Sequence, residues 1–226
     1  MSDETIDTAD HDMSAPELTV TALTRRGFLA ATGAAGAAVA AATALGGATP
    51  AGASATRPVK GGGGNKDLET AAFAASLEVL AVGTYTAALD AATAGSLGPV
   101  PPAGAEFVTT AMSQHQAQLD SWNEVLTTNG QAEVTEPDPA LKATVDEAFG
   151  QVTDFVGAAE LALMLEQIAA ATYLQAIPRL KAPDAIELAG SIYIIDMQHA
   201  AILNFVLGEY PVPETFASTD DAAQPS

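Results

Sequence analysis

Cysteine is absent from this 226-residue chain, and positively charged residues are scarce. Without cysteine there can be no disulfides, thiolate catalysis or thiolate-bound metals, so any metal would be held by imidazole and carboxylate groups. Such ligands suit iron, manganese or zinc better than copper(I). Eight Lys and Arg residues stand against 28 Asp and Glu residues, a formal net charge of −20. Nucleic acids and anionic membrane surfaces repel a chain this acidic, so neither is an expected partner.

The first 55 residues consist of a polar acidic stretch, a pair of arginines and an uncharged run rich in Ala and Gly. Arg25 and Arg26 are followed by Phe28 and Leu29 at fixed offsets. This arrangement resembles a twin-arginine export signal, and implies a periplasmic, cell-wall or extracellular protein with no stable membrane span after processing. The alternative is a membrane anchor, but so much Ala and Gly makes a poor permanent span. Residues 56–66 contain four consecutive glycines and are interpreted as a flexible linker.

Long apolar stretches of the remaining chain predict helices rather than strands. The predicted long helices cover about residues 67–93, 105–127, 153–177 and 183–208, with a short helical piece at 140–149. About five residues join the last two long helices, which makes them antiparallel neighbours. About 25 residues separate the second and third, enough for a crossover along the length of a bundle. We therefore predict an all-α four-helix bundle at 67–209, built from two helical hairpins joined by a long crossover, with a C-terminal tail at 210–226.

Two segments of the chain resemble each other closely. LEVLAVGTY at 77–85 and LEQIAAATY at 165–173 share five of nine residues. A Gln-His pair follows each segment, ending at His115 and at His199, and the Ala and Leu two and four residues further on also match. The duplication indicates that each predicted hairpin is one copy of a repeat.

The middles of the long helices contain few charged residues or histidines: only Glu78, His115 and Glu166 in the first three, and Asp196 with His199 in the fourth. Helices that are apolar nearly all round have buried middles. A buried carboxylate must be paired, protonated or bound to a cation. Basic partners are almost lacking, because only three Lys or Arg residues follow residue 66. We therefore predict a metal ion as the neutralising charge. Asp196 and His199 are three residues apart, so they share one helical face.

One Glu on each of two helices, plus Glu-x-x-His on each of the other two, is the ligand set of ferritin-like dinuclear proteins. In this chain Asp196 stands where one of these Glu residues is usual. The chain resembles that superfamily, in particular exported bacterial ferritin-like domain proteins related to desiccation-associated ones. The resemblance implies that Glu78 and Glu166 bridge the metals, and that His115, His199 and Asp196 are terminal ligands. It also implies iron or manganese as cofactor, one or two ions, and oxygen or peroxide as reaction partners. Met112 stands where the sixth ligand is expected, so the site is incomplete.

Several alternatives stay open at this stage. The histidines could be ordinary hydrogen-bonded core residues, and the repeat could record a metal site that has decayed. Tyr85 and Tyr173 could hydrogen-bond the carboxylates, although plain packing is the favoured interpretation. Gln114 and its counterpart in the second copy could at best support the ligand side chains without binding the metal. The protein is either a metal-dependent redox protein or a non-enzymatic, stress-protective scaffold, and a homo-oligomer is compatible with both.

Overall fold

The computed structural model describes residues 64–225. The predicted export signal at 1–55 lies outside these residues, as do residues 56–63 of the predicted linker and Ser226 at the end of the predicted tail.

Five α-helices make up most of the described chain, and no strand occurs within residues 64–225. In chain order they are α1 (Asn65–Thr93), α2 (Pro102–Thr128), α3 (Pro139–Phe149), α4 (Phe155–Ala176) and α5 (Pro183–Val206), with a 3-10 turn at Ile177–Arg179 after α4. The prediction of an all-α bundle is confirmed, and so is the short extra helix in the crossover.

The helix ends follow from local sequence chemistry. α2 begins three residues earlier than predicted, at Pro102, because proline has the φ angle of a first helical turn and lacks an N–H that would have no partner there. Asp138 and Asp154 precede α3 and α4, and their side chains accept hydrogen bonds from backbone amides of the first turn. α2 ends before Gly130, whose φ of 75° is one that glycine adopts without strain.

The helices pair as two hairpins, α1 with α2 and α4 with α5. The backbone amide of Phe155, at the start of α4, donates to the carbonyl of Leu97, just after α1, at 3.0 Å. α1 and α4 are therefore antiparallel. At the opposite end, the buried carboxylate of Asp67 in α1 accepts from the amides of Lys181 (3.0 Å) and Ala182 (2.7 Å), directly before α5. The long crossover containing α3 makes this arrangement possible: α4 runs antiparallel to α1, and the two hairpins are in contact at both ends of the bundle.

The core consists mainly of Ala, Leu and Ile, with Trp122 wholly buried in it. α1 and the segment Phe155–Arg179 are long and apolar enough to meet the length and composition of a membrane span. Both helices, however, carry a buried glutamate at mid-length that is hydrogen-bonded to the other hairpin. Of the most apolar window of each helix, 33% is buried within the bundle for α1 and 39% for Phe155–Arg179.

Candidate metal centre

All five residues predicted as ligands point into the bundle at one level. Glu78, His115, Glu166, Asp196 and His199 are each at most 4% exposed. Four of them (all but Glu78) offer ligand atoms within 4.8 Å of one another. Donors around one first-row ion lie about 2.0–2.2 Å from it, and so roughly 3–4.4 Å from one another. The four-residue cluster is thus close to the dimensions of one coordination sphere.

Glu78 lies at the edge of this cluster and faces His115. Its Oε2 is 2.7 Å from Nδ1 of His115, and its Oε1 accepts a hydrogen bond from Tyr173. Nδ1 of His115 therefore donates to Glu78, which leaves Nε2 facing Oε1 of Glu166 at 3.2 Å. This is the arrangement of a carboxylate that orients a ligand imidazole. The bridging role expected of Glu78 stays a prediction.

His199 is oriented by a residue of the first repeat. Its Nε2 lies 2.7 Å from Oε1 of Gln114 on α2. An amide oxygen only accepts, so Nε2 carries the proton and Nδ1 has a free lone pair. Nδ1 lies 3.2 Å from Oε1 of Glu166 without the alignment of a hydrogen bond. With its lone pair directed at a group of carboxylates, this nitrogen can bind a cation together with them.

Asp196 is the most isolated polar group of the site. It is 0% exposed, and neither of its carboxylate oxygens has a hydrogen-bond partner among the described residues. Oε2 of Glu166 is likewise without a partner there. A buried polar group left unpaired costs about 1–3 kcal/mol, and more if it is charged. An ion among these oxygens would remove that cost, so the donor set fits a metal.

The pKa values follow from burial and from the crowding of like charges. Burial raises the pKa of Asp196 well above its usual range, and the charges of Glu166 and Glu78 raise it further. Burial also acts on His115, lowering its pKa, but the charges and hydrogen bonds of Glu166 and Glu78 outweigh it and hold that pKa well above 6.5. Burial acts to raise the pKa of Glu166, but opposing interactions, of which the charge and hydrogen bond of His115 are the largest, lower it to about 2. Without a metal, the cluster therefore holds protons on Asp196 and His115.

Both tyrosines of the repeat donate to glutamates of the opposite copy. Tyr85 on α1 donates to Oε1 of Glu166, and Tyr173 on α4 donates to Oε1 of Glu78, each at 2.5 Å. Tyr173 also accepts from Nε1 of Trp122 at 2.9 Å. Burial and the neighbouring carboxylates raise both tyrosine pKa values, so the hydroxyls remain donors. The preference for plain packing of these side chains was wrong.

Met112 occupies the place of the missing sixth ligand and takes no part in the cluster. Its side chain is partly exposed, and its sulfur accepts a hydrogen bond from the hydroxyl of Thr86 at 3.4 Å. The half-site around His115 consequently has no carboxylate from its own helix. The sequence analysis gave Gln114 too small a role, because its contact with His199 depends on how α2 is rotated towards α5.

These features define a class: a helical bundle with histidines and carboxylates buried between two duplicated hairpins. The chain belongs to the ferritin-like domain family, whose model matches residues 66–209. The match confirms the superfamily resemblance. Neither the curated proteins nor the solved structures give a significant match to the chain.

Proposed function

We propose that this chain is an exported protein that binds one iron or manganese ion in the four-residue cluster. The ligands are Nε2 of His115, Nδ1 of His199 and the carboxylates of Glu166 and Asp196. The observation that carries the proposal is Asp196, a fully buried carboxyl group whose oxygens have no partner within residues 64–225. The described basic residues cannot neutralise it, since Lys66, Lys142, Arg179 and Lys181 all lie near helix ends.

The neighbouring residues would hold this site in shape. Glu78 fixes the imidazole of His115, and Gln114 fixes that of His199. Tyr85 holds one oxygen of Glu166, so that the other is free for the ion. When bound, iron or manganese would supply one-electron chemistry between the +2 and +3 states, with oxygen or peroxide as the reaction partner. Two nitrogen and two oxygen donors suit either metal.

A non-enzymatic, protective scaffold is the second candidate, and Met112 favours it. A carboxylate at this position would complete the second half of a dinuclear centre, whereas a thioether is a weak ligand for iron or manganese. The sulfur is instead in contact with Thr86. Loss of the second ion would leave a site with less capacity for two-electron chemistry.

Export is supported by Arg25, Arg26 and the uncharged run that follows them. The test is fusion of residues 1–66 to a reporter that is active only outside the cytoplasm. Replacement of both arginines by lysine keeps the charge and should abolish export by the twin-arginine route. Unchanged export of the double variant would contradict this part of the proposal.

The metal proposal is tested by elemental analysis of the full-length chain, purified without chelators and then loaded with iron(II) or manganese(II). We expect close to one ion per chain. Asp196→Asn keeps the shape of the side chain but removes its charge, and should lose most of the metal. Asp90→Asn is the matched control, because Asp90 is an exposed residue of α1 and should not affect loading.

Two outcomes would contradict metal binding: a wild-type chain that takes up neither ion, or an Asp196→Asn variant that loads like the wild type. The redox part has its own readout, the rate at which bound iron(II) is oxidised by oxygen or peroxide. Faster oxidation than in the Asp196→Asn variant would support redox chemistry. Binding without any acceleration would favour the scaffold.

A further inference from the structure

An apolar cavity of about 110 Å³ runs inside the bundle beside the candidate metal centre. Its lining includes His115 and Glu166 of the cluster, and its walls come mainly from α1, α2 and α4. The lining residues of α1 extend from Leu77 to Ala92. At 1.5 Å per residue, this corresponds to a length of about 22 Å along the helix axis. The cavity is therefore long and narrow.

The outer end of the cavity lies where α2 and α4 begin. Gly104 lines this end, and the ring of Phe155 fills the space that a side chain at Gly104 would take. A Cβ atom added to Gly104 would lie 2.7 Å from Cε2 of Phe155. From this end, the lining runs along α2 to His115 and along α4 to Glu166 and beyond. The cavity thus joins one end of the bundle to the buried cluster.

The walls offer almost no polar group to a ligand. Thr84 donates its hydroxyl proton to the carbonyl of Leu80, and Tyr85 donates to Glu166. Water in a cavity needs two to four polar partners, and apolar cavities on the order of 150 Å³ stay dry and bind small apolar molecules. Among the residues that line the cavity, only Glu166 has a buried side-chain oxygen, Oε2, without a hydrogen-bond partner. An occupant must accordingly be apolar along its length.

We propose that this cavity binds an uncharged linear aliphatic chain whose terminus reaches Glu166 and His115. A linear chain is favoured because a small volume over this length leaves a narrow bore, with alanines such as Ala88, Ala158 and Ala162 in its wall. An uncharged terminus is favoured because burying a carboxylate is costly without a positive partner. No Lys or Arg of the described chain lines the cavity, and His115 is already paired with Glu78 and Glu166.

The inference extends the proposed function by naming the class of molecule that reaches the site. It does not require the metal, because the walls are apolar whether or not an ion is bound. Chain binding and metal binding can therefore fail separately, and each has its own measurement.

The test is calorimetric titration of the full-length, chelator-treated protein with n-decanol, with decanoate and the cage-shaped adamantanol as matched ligands. We expect n-decanol to bind at least about tenfold more tightly than either, a difference of about 1.4 kcal/mol or more. Decanoate tests the charge, and adamantanol tests the shape. The same titrations are repeated on the metal-loaded chain, and metal content is measured in parallel.

Ala162→Phe places a ring in the bore and should weaken n-decanol binding at least about tenfold while metal content is unchanged. Val156→Phe on the same helix is the control, because Val156 is 53% exposed and does not line the cavity. If Ala162→Phe does not fold, Ala158→Leu is the smaller obstruction. The proposal would be overturned if n-decanol did not bind, or if decanoate or adamantanol bound equally well. Unchanged n-decanol binding in a folded obstructed variant would also overturn it. A chain that binds n-decanol but no metal would contradict only the proposed metal function.

Discussion

Tyr85 on α1 donates its hydroxyl hydrogen bond to Glu166 on α4, a residue of the other repeat. Tyr173 on α4 makes the reciprocal bond to Glu78 on α1. Each tyrosine lies seven residues after the glutamate of its own helix, yet it bonds the glutamate of the other helix. Because α1 and α4 are antiparallel, the two bonds cross the bundle at the level of the candidate metal centre. The duplicated segments therefore join the two hairpins to each other.

Removing the Tyr173 hydroxyl should be more destabilising than removing that of Tyr85. Tyr173→Phe leaves both Oε1 of Glu78 and Nε1 of Trp122 without this partner, whereas Tyr85→Phe removes only one bond from Glu166. We expect a loss of about 2–4 kcal/mol for Tyr173→Phe and about 1–2 kcal/mol for Tyr85→Phe. Urea unfolding of the metal-free proteins measures both values. Equal losses, or the reverse order, would show that Trp122 does not depend on this bond.

Gln114 should control metal affinity without binding the metal. Gln114→Leu removes the acceptor that fixes the proton on Nε2 of His199, and should weaken metal binding about 10–100-fold. Gln198→Leu is the matched control, because Gln198 occupies the same place in the other repeat but is exposed. Competition with a chelator of known affinity gives both dissociation constants. Equal effects of the two substitutions would contradict the orienting role.

The sequence was sufficient for the fold and for which residues are buried together. Glu78, Glu166 and Asp196 each stand alone in an apolar helix, so their burial follows from the solvation cost of a lone charge. The repeat places the two histidines at matching positions, and the structure buries both.

The contacts around the site could not be predicted in the same way. The bond between Gln114 and His199 joins α2 to α5, and it depends on how each helix is rotated about its own axis. The bond between Trp122 and Tyr173 likewise joins different hairpins. Helical spacing shows which residues share a face of one helix, but not which face of a neighbouring helix they meet.

Gly104 should be required for the packing of Phe155. A Cβ at Gly104 would lie 2.7 Å from Cε2 of Phe155, so Gly104→Ala should force the ring to move and destabilise the protein by about 1–3 kcal/mol. Gly83 is the control, since nothing lies within 4 Å of an added Cβ there. Gly83→Ala should be stabilising by about 0.4–1 kcal/mol, because alanine favours the helix. Thermal unfolding measures both changes, and equal signs would contradict the close approach at Gly104.

Met112→Glu should restore the second half of a dinuclear site. Position 112 is three residues before His115, so a carboxylate there shares a helical face with that histidine. We expect the metal content to rise from about one towards two ions per chain. Met112→Gln has the same length without the charge and should give no rise. Unchanged metal content in a folded Met112→Glu variant would contradict the alignment of the two repeats.

The stability of the metal-free protein should depend on pH in a way set by the cluster. Asp196 and His115 have raised pKa values in the folded state. Their contributions to the free energy of unfolding are therefore complete below the unfolded-state pKa values of 3.8 and 6.5. These contributions are lost as the pH rises through the folded-state pKa values. Glu166 acts in the opposite sense: its contribution is present above 4.5 and is lost as pH falls through about 2. We therefore expect the protein to lose stability both towards low pH and towards high pH. The decline on the high-pH side should continue above pH 6.5, because His115 loses its proton there.

Urea unfolding of chelator-treated protein from about pH 3 to about pH 9 measures this profile. In Asp196→Asn, the amide cannot lose a proton, so the part of the upper decline that comes from Asp196 should disappear. Asp90→Asn should leave the profile unchanged, because Asp90 is exposed and far along α1 from Glu78. A wild-type profile that coincides with that of Asp196→Asn would mean that Asp196 has the same pKa in the folded and unfolded chains. The buried carboxyl would then not be the group that a metal ion has to deprotonate.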